Sequence, residues 1–294
     1  MNIMSRFSPV IRVITLVLFG ISTPIQAGEF DKGLLWQISG KHNDASFLFG
    51  TVHSDDPSVT TLPVQVQSAM QQARHFCAEL DLNMSTMLQA QVKMMLPADK
   101  QLQDLIGQRN FRQSVNLMAN YGVPEMIVGR MKPWAVAAQL MMPVPQTNVF
   151  LDLKLYQQAQ SRGIPTCGLE QVEEQLAVFE NMSVAQQINF LEQAIREYAE
   201  LPVAINTMLN LYRNRDLAGL QAFSDRQMQK TDKSLASYME KNLINNRNYL
   251  MVDRMKPHMV NGKAFFAVGA LHLPGEHGIL NILKKQGYQL QRLY

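Results

Sequence analysis

The stretch FLFGTVHSDD at residues 47–56 decides the fold, because its apolar run ends in a glycine and a histidine follows three residues later. The stretch FAVGALHLPGEH at residues 266–277 repeats this arrangement near the other end of the chain. Ligands of open α/β sheets collect beyond the carboxyl ends of strands, so His53 and His272 are predicted to lie where a site would form. We therefore predict an α/β fold with two related strand–Gly-x-x-His–helix units.

The segments around these two turns predict the remaining strands of a central sheet. A helical pattern at 62–73 separates the strand that ends near residue 49 from the next one, and this βαβ order requires parallel pairing. The sheet is therefore expected to be mixed or largely parallel. The predicted strands are 34–38, 46–49, 76–80, 164–168, 264–268 and 288–293.

Residues between about 85 and 253 are predicted to be mostly helical. Apolar residues recur there at i, i+3 and i+4, and prolines separate the successive segments. One strand pattern, at 164–168, interrupts the helices. We expect residues 28–294 to form a single domain that carries this region as a large helical insertion.

The N-terminus has the features of a secretory signal peptide at residues 1–27. Arg6 and Arg12 precede a nine-residue apolar core at 13–21, and a stretch of small residues then ends at Ala27. A membrane anchor is the alternative, but the core is far shorter than the ~20 residues that span a bilayer. We expect cleavage after Ala27, a periplasmic or secreted protein, and no stable membrane insertion afterwards.

Composition and motifs exclude several classes of function. The chain of 294 residues has a formal net charge of only +3 and lacks a basic helix face, which argues against nucleic acid as a partner. The patterns HExxH, GxSxG, C-x-x-C and the Walker loop are absent. A disulfide and two free, packed thiols remain equally open for Cys77 and Cys167.

Three residues are candidate ligands for a divalent metal ion. His53 and His272 follow strand ends, and Glu79 lies among apolar neighbours, where an unpaired carboxylate is costly to bury. Two histidines and a carboxylate are a common ligand set for a catalytic metal. The alternative is a pair of hydrogen-bonded core histidines and a carboxylate that caps a helix or pairs with an arginine.

Other side chains are candidates for supporting roles. Arg247, on the helix before the last apolar strand, is expected to stabilise an oxyanion or bind a substrate carboxylate. Glu79 is alternatively a general base, in which case Asp55 or Glu276 would be the third ligand. His277 and Glu276 are close enough to His272 in sequence to support it.

The chain resembles the TraB/PrgY/GumN family, which is related to the Tiki metalloproteases, and within it the bacterial GumN- and YbaP-like members. The resemblance covers nearly all of the chain after residue 27. It rests on LLWQISG, FLFGTVHSDD, the strand with Glu79, Asp152, Gly168-Leu169-Glu170 with Gln175, Arg247-Asn248 and AVGALHLPGE. It implies a compact α/β fold and metal-dependent peptide cleavage, with the family's motif residues at His53, Glu79, Arg247 and His272.

These observations lead to one functional hypothesis and two rivals. The leading hypothesis is a periplasmic metal-dependent hydrolase, a peptidase that acts on a peptide or protein with Mn, Co or Zn as its ion. The first rival is a non-catalytic protein that binds or sequesters a peptide or small ligand. The second is a haem- or copper-handling protein that uses histidine and some of the 19 methionines as ligands.

Overall fold

The computed structural model describes residues 28–40, 44–147, 149–230 and 233–294. The predicted signal peptide, residues 1–27, lies outside the described residues. Among the helices of the described ranges, none combines the length and the apolar character needed to cross a membrane.

The six strands of the described chain form a single mixed sheet. Most bounds agree with prediction to within one or two residues, and the third strand ends before Glu79 instead of including it. The strands are β1 (Leu35–Ser39), β2 (Ser46–Thr51), β3 (His75–Ala78), β4 (Thr166–Gly168), β5 (Ala264–Gly269) and β6 (Gln289–Arg292).

The sheet order is β4-β3-β5-β2-β1-β6. β4, β3, β5 and β2 run parallel, whereas β1 pairs antiparallel with both β2 and β6. The prediction of a mixed, largely parallel sheet is thus confirmed. In the register of β2 and β5, Gly50 lies opposite Val268 and Thr51 lies opposite Gly269. The two Gly-x-x-His turns therefore leave neighbouring strands at the same edge of the sheet.

Helices fill most of the chain between and after these strands. They are α1 (Pro57–Thr60), α2 (Val64–Gln72), α3 (Met84–Lys93), α4 (Leu102–Met118), α5 (Glu125–Val128), α6 (Pro133–Leu140), α7 (Leu151–Ser161), α8 (Val172–Glu180), α9 (Val184–Glu197), α10 (Leu201–Arg213), α11 (Leu217–Met228), α12 (Lys233–Met239), α13 (Asn246–Asn261) and α14 (Ile279–Lys285).

Two helical segments have an irregular backbone, and one of them differs from the sequence expectation. Helical spacing at 100–106 and again at 111–121 predicts two helices, and α4 is indeed divided at Gly107, whose φ of 75° and ψ of 161° are not helical and suit a residue without a Cβ. Helical spacing over 234–255 predicts a single helix, whereas the structure has α12, a π-helical segment (Glu240–Asn245) and α13 there. Extra residues of this kind in a helix are frequent at functional sites.

Two hydrophobic cores divide the helices into those on the sheet and those away from it. The first core joins both faces of the sheet to helices that include α7, α10, α13 and α14. The second is built by α4, α6, α8, α9 and α12, largely within the predicted insertion. The insertion is interrupted by β4, which extends the sheet beside β3. Helix α13 packs on β5, and its first residues, Arg247 and Asn248, contact side chains at the edge where the two turns lie.

Candidate functional site

Close packing at this edge explains why glycine begins both turns. A Cβ on Gly50 would lie 2.7 Å from Leu273 Cδ1 and 3.1 Å from Ala270 Cα, so the turn after β5 could not pack against β2. A Cβ on Gly269 would lie 3.2 Å from Glu79 Oε1. In the structure the Gly269 N–H donates to that oxygen at 2.7 Å. The second turn is therefore tied directly to the residue that follows β3.

Glu79 is the centre of the site. Its Oε1 accepts from the Gly269 N–H and lies 3.6 Å from His272 Nε2. Its Oε2 accepts from Arg247 at 2.7 Å and from Gln175 Nε2 at 3.1 Å. Four groups from three separate parts of the chain thus converge on one carboxylate.

Asn248 fixes the proton position on His272. The Asn248 Nδ2 donates to the His277 carbonyl at 2.7 Å, which directs its Oδ1 to His272 Nδ1 at 2.6 Å. An amide oxygen only accepts, so Nδ1 carries the proton. In a neutral imidazole Nε2 is then an acceptor, and it faces Glu79 Oε1 with no proton between them.

The pKa shifts of the pair keep it in this state at neutral pH. Burial alone would raise the pKa of Glu79, but positive charge at His272 and Arg247 and the Gly269 N–H lower it to about 2. Burial lowers the pKa of His272 to about 4, against the opposing effect of Glu79. An ionised Glu79 therefore lies beside a neutral His272, and Arg247 and the Gly269 N–H stabilise its charge.

Arg247 binds a second buried carboxylate as well as Glu79. Its Nε and one terminal nitrogen donate to the two oxygens of Glu170 at 2.8 and 2.6 Å, and its other terminal nitrogen donates to the Leu243 carbonyl. At least four of its five N–H groups are thus used within the protein. Arg247 was expected to bind an oxyanion or a substrate carboxylate, but in this structure it holds Glu79 in place.

His53 is placed differently from its counterpart. Its side chain is 55% exposed, its Nδ1 lies 3.6 Å from Asp152 Oδ2, and its ring packs on Phe150 with centroids 3.8 Å apart. Thr51 Oγ1 donates to the other oxygen of Asp152 at 2.5 Å. His53, Asp152 and Glu79 line the same pocket of about 200 Å³.

The three candidate ligands share an edge of the sheet without forming a closed cluster. Among the residues that the structure describes, His53, Glu79 and His272 do not bring their ligand atoms within 4.8 Å of one another as a trio. Glu79 and His272 form a close pair, and His53 contributes to the pocket beside them. Ligands of one ion have donor atoms about 3–5 Å apart, and the 3.6 Å between Glu79 Oε1 and His272 Nε2 lies in this range.

The alternative third ligands lie elsewhere. Asp55 is buried, and its Oδ2 accepts from the backbone N–H groups of Gln146 and Thr147 at 2.7 and 2.5 Å, so it anchors the loop before α7. Glu276 is exposed, and its backbone carbonyl accepts from Asn281. The expected support of His272 by His277 comes from the backbone carbonyl of His277, through Asn248.

Comparisons with known proteins identify the family of the chain. A sequence profile of the TraB/PrgY/gumN family matches residues 34–292, which include both Gly-x-x-His turns and every residue of the site. This chain belongs to the TraB/PrgY/gumN family. The resemblance inferred from the motifs is thus confirmed.

Curated relatives of this family member carry the name metalloprotease. Metalloprotease TIKI1 of Danio rerio is 24% identical over 87% of this chain and 62% of its own length, and the human TIKI1 is 24% identical over 87% and 61%. Metalloprotease TIKI2 of Danio rerio is 27% identical over 48% of this chain and 32% of its own length. The chain thus spans less than two thirds of these relatives. No solved structure matches it significantly.

Sequence reasoning left four residues of the site without a role. Asp152, Glu170, Gln175 and Asn248 belonged to the motifs of the resemblance, yet no local pattern showed what they contact. Glu170 lies 77 residues from Arg247, and Asp152 lies 101 residues from Thr51. The one local signal was the position of Asn248 directly after Arg247, at the start of α13.

Proposed function

We propose that this chain is an exported, metal-dependent peptidase whose ion is held by His272, Glu79 and His53. The observation that supports it best is the pair of facing acceptors, His272 Nε2 and Glu79 Oε1, 3.6 Å apart. Two lone pairs repel each other unless a proton or a cation lies between them. The Asn248 bond places the histidine proton on the other nitrogen, and this leaves a cation as the group that fits.

The charge balance of the buried cluster supports the same conclusion. Glu79 and Glu170 bring two negative charges when both are ionised, and Arg247 brings one positive charge. His272 is neutral at neutral pH because its pKa is lowered. Burial raises the pKa of Glu170, but both its oxygens accept from Arg247, which favours its charged form. The negative charge that then remains is costly in a site where Glu79 is only 23% exposed, unless a cation compensates it. A bound cation would provide that compensation.

Each residue of the site has a distinct part in the proposal. A divalent ion bound here would supply Lewis acidity, which polarises a carbonyl and makes water more acidic. His272 offers Nε2 from a ring whose other nitrogen is fixed by Asn248, as is usual for histidine ligands. Glu79 offers Oε1, since Oε2 is occupied by Arg247 and Gln175. His53 offers a ring nitrogen from the open side of the pocket.

The low pKa of Glu79 argues against its alternative role as general base. A carboxylate with a pKa of about 2 takes up a proton poorly near neutral pH. Arg247 is a positioning residue in this scheme, because its N–H groups bind Glu79 and Glu170. Asp152, 3.6 Å from His53 Nδ1, is placed to orient that ring.

A peptide or protein is the substrate that we propose, in the periplasm. The names of the Tiki relatives support proteolysis. The pocket beside Glu79 is also lined by His53 and Phe150. The apolar core and small-residue end of residues 1–27 support export, as argued from the sequence.

The test is metal-dependent turnover by the purified protein. The metal content of the protein is measured, and the ion is then removed with a chelator. Mn, Co or Zn is added back separately, and cleavage of a peptide library is followed by mass spectrometry. We expect cleavage that disappears with the ion and returns with at least one of the three. Glu79→Gln should abolish it, whereas Glu125→Gln, an exposed carboxylate far from the pocket in sequence, should not.

The same experiment separates the proposal from its rivals. Peptides that bind the protein without being cleaved, with or without an ion, would indicate a sequestering protein. A visible absorption band in the purified protein would indicate a haem or copper protein.

A further inference from the structure

A second group of metal-binding side chains lies on the sheet, apart from the Glu79 pocket. Cys77 of β3 and Cys167 of β4 are opposite each other in register and form a disulfide. His258, near the end of α13, brings Nε2 to 3.7 Å from Cys167 Sγ. One donor atom from each of the three residues lies within 4.8 Å of the others. Three soft or borderline donors therefore already converge on one point.

A fourth potential donor lies at the rim of this group. His75 precedes Cys77 by two residues on β3, so both side chains are on the same face of the strand. The ring centroids of His75 and His258 are 6.1 Å apart. Cys77 is buried, whereas Cys167, His75 and His258 are partly exposed. An ion could thus enter from solvent and meet a buried sulfur.

This group is separate from the proposed catalytic site. Arg247 at the start of α13 binds Glu79, and His258 lies 11 residues further along the same helix, about 16 Å away along its axis. Neither cysteine nor His258 lines the Glu79 pocket. The further inference therefore does not depend on the proposed function.

The redox state of the two cysteines decides what this group can bind. Disulfide sulfurs are poor ligands, because the thiolate is the form of cysteine that binds metals. Two thiolates and an imidazole are the donors that zinc prefers.

We propose that Cys77, Cys167 and His258 form a second metal site, which binds a zinc-class ion once a dithiol has reduced the disulfide. In the reduction the dithiol gives two electrons and two protons, the S–S bond breaks, two S–H groups form, and the dithiol becomes a disulfide. Binding of Zn²⁺ then forms two Zn–S bonds and one Zn–N bond and releases the two thiol protons. His75 is the nearest candidate for the fourth position.

The experiment compares oxidised and reduced protein with Co²⁺ as a spectroscopic probe for zinc. Purified protein is kept oxidised or treated with excess dithiothreitol, freed of reductant without air, and titrated with Co²⁺. We expect the near-ultraviolet charge-transfer band of cobalt–thiolate bonds in the reduced protein alone. Zn²⁺ should displace the cobalt and protect both cysteines from alkylation.

Variants identify the ligands and keep the test independent of the Glu79 pocket. His258→Gln should weaken cobalt binding by more than the ~10–100-fold that changes outside the ligand shell cost. Glu79→Gln should leave the thiolate band unchanged, and the exposed Glu125→Gln is the matched control. Near-ultraviolet circular dichroism checks that the reduced protein stays folded.

Three results would overturn the proposal. The first is a reduced protein that binds cobalt without a thiolate band, or that does not bind it. The second is unchanged affinity in His258→Gln, which would make His258 a packing neighbour of a structural disulfide. The third is loss of tertiary structure on reduction, because the site could then not form.

Discussion

The two Gly-x-x-His turns have the same sequence pattern and leave adjacent strands at the same edge, yet they place their histidines in opposite environments. The side chain of His272 is 6% exposed and lies between Glu79 and Asn248, whereas that of His53 is 55% exposed and lies over Phe150. The cause is what packs above each strand end. Helix α11, the π-helical segment and Asn248 at the start of α13 pack on the second turn, and the pocket opens over the first. A repeated motif therefore supplies one fixed and one accessible group.

The largest expected effect concerns the carboxylate that both turns adjoin. Glu79→Gln keeps the size of the side chain but replaces an anionic oxygen with an amide, so metal affinity and activity should fall by more than about 100-fold. The measurement is the Kd for Mn, Co or Zn together with kcat/KM on a cleaved peptide. Wild-type activity in a folded Glu79→Gln protein would remove Glu79 from the site.

The difference in burial predicts unequal effects on stability. His272→Ala leaves a cavity and an unpaired Asn248 amide, and it should cost about 2–3 kcal/mol of the free energy of unfolding. His53→Ala removes an exposed ring and should change that free energy by less than about 0.5 kcal/mol. Urea denaturation of the metal-free variants measures both. Equal losses in the two variants would show that the contrast in burial has no energetic consequence.

The same contrast predicts how stability depends on pH. His272 has a pKa of about 4 in the folded protein, below the 6.5 of a free histidine, so the unfolded chain takes up the proton first as the pH falls. The stability that His272 contributes is complete above pH 6.5 and is lost as the pH falls towards 4, by an amount on the order of 3 kcal/mol.

The contribution of Glu79 to stability is lost over a lower pH range than that of His272. Its pKa is lowered from 4.5 to about 2, so its contribution is lost only below pH 4.5. Urea titrations of metal-free protein between pH 7 and 4 would measure the His272 part, with His272→Gln as the variant that should lack it. A wild-type protein with constant stability over this range would contradict the lowered pKa of His272.

The smallest predicted effect tests the residue that fixes the His272 ring. Asn248→Ala removes the acceptor that holds the Nδ1 proton, so metal affinity should fall by about 10–100-fold while some binding remains. The matched control is Asn210→Ala, on an exposed face of α10. A fall no larger than that of the control would mean that the tautomer of His272 is set by other contacts.

Much of the fold could be predicted because its signals are local. The apolar runs that end in glycine at residues 50 and 269 marked two parallel strands and the edge where they end. The break at Gly107 falls between the helices that the spacing at 100–106 and 111–121 predicts, whereas the π-helical segment before α13 could not be predicted, because the apolar spacing continues through it. The periodicity of apolar residues thus predicts that a helix forms, whereas an extra residue in one of its turns depends on tertiary packing.

The positions of the candidate site residues were predictable because their signals are also local. His53, His272 and Glu79 follow strands whose pattern is local, and the structure brings them to one edge. The contact of Arg247 with Glu170 could not be predicted, because the two residues are distant in sequence and form no pattern together. The expected role of Arg247 toward an oxyanion or a substrate carboxylate stays a prediction. The difference in exposure between His53 and His272 could not be predicted either, because their two motifs are alike. The disulfide was left open because two cysteines alone do not determine their pairing.

Metal stoichiometry is the measurement that tests the central claim most directly. Oxidised protein, in which the Cys77–Cys167 bond is closed, is loaded with Mn, Co or Zn, dialysed and analysed by mass spectrometry for ions per chain. We predict about one ion in the wild type and in Glu125→Gln, and a loss of that ion in both His272→Ala and Glu79→Gln. One ion retained by these two folded variants, or none bound by the wild type, would contradict a metal site at this edge of the sheet.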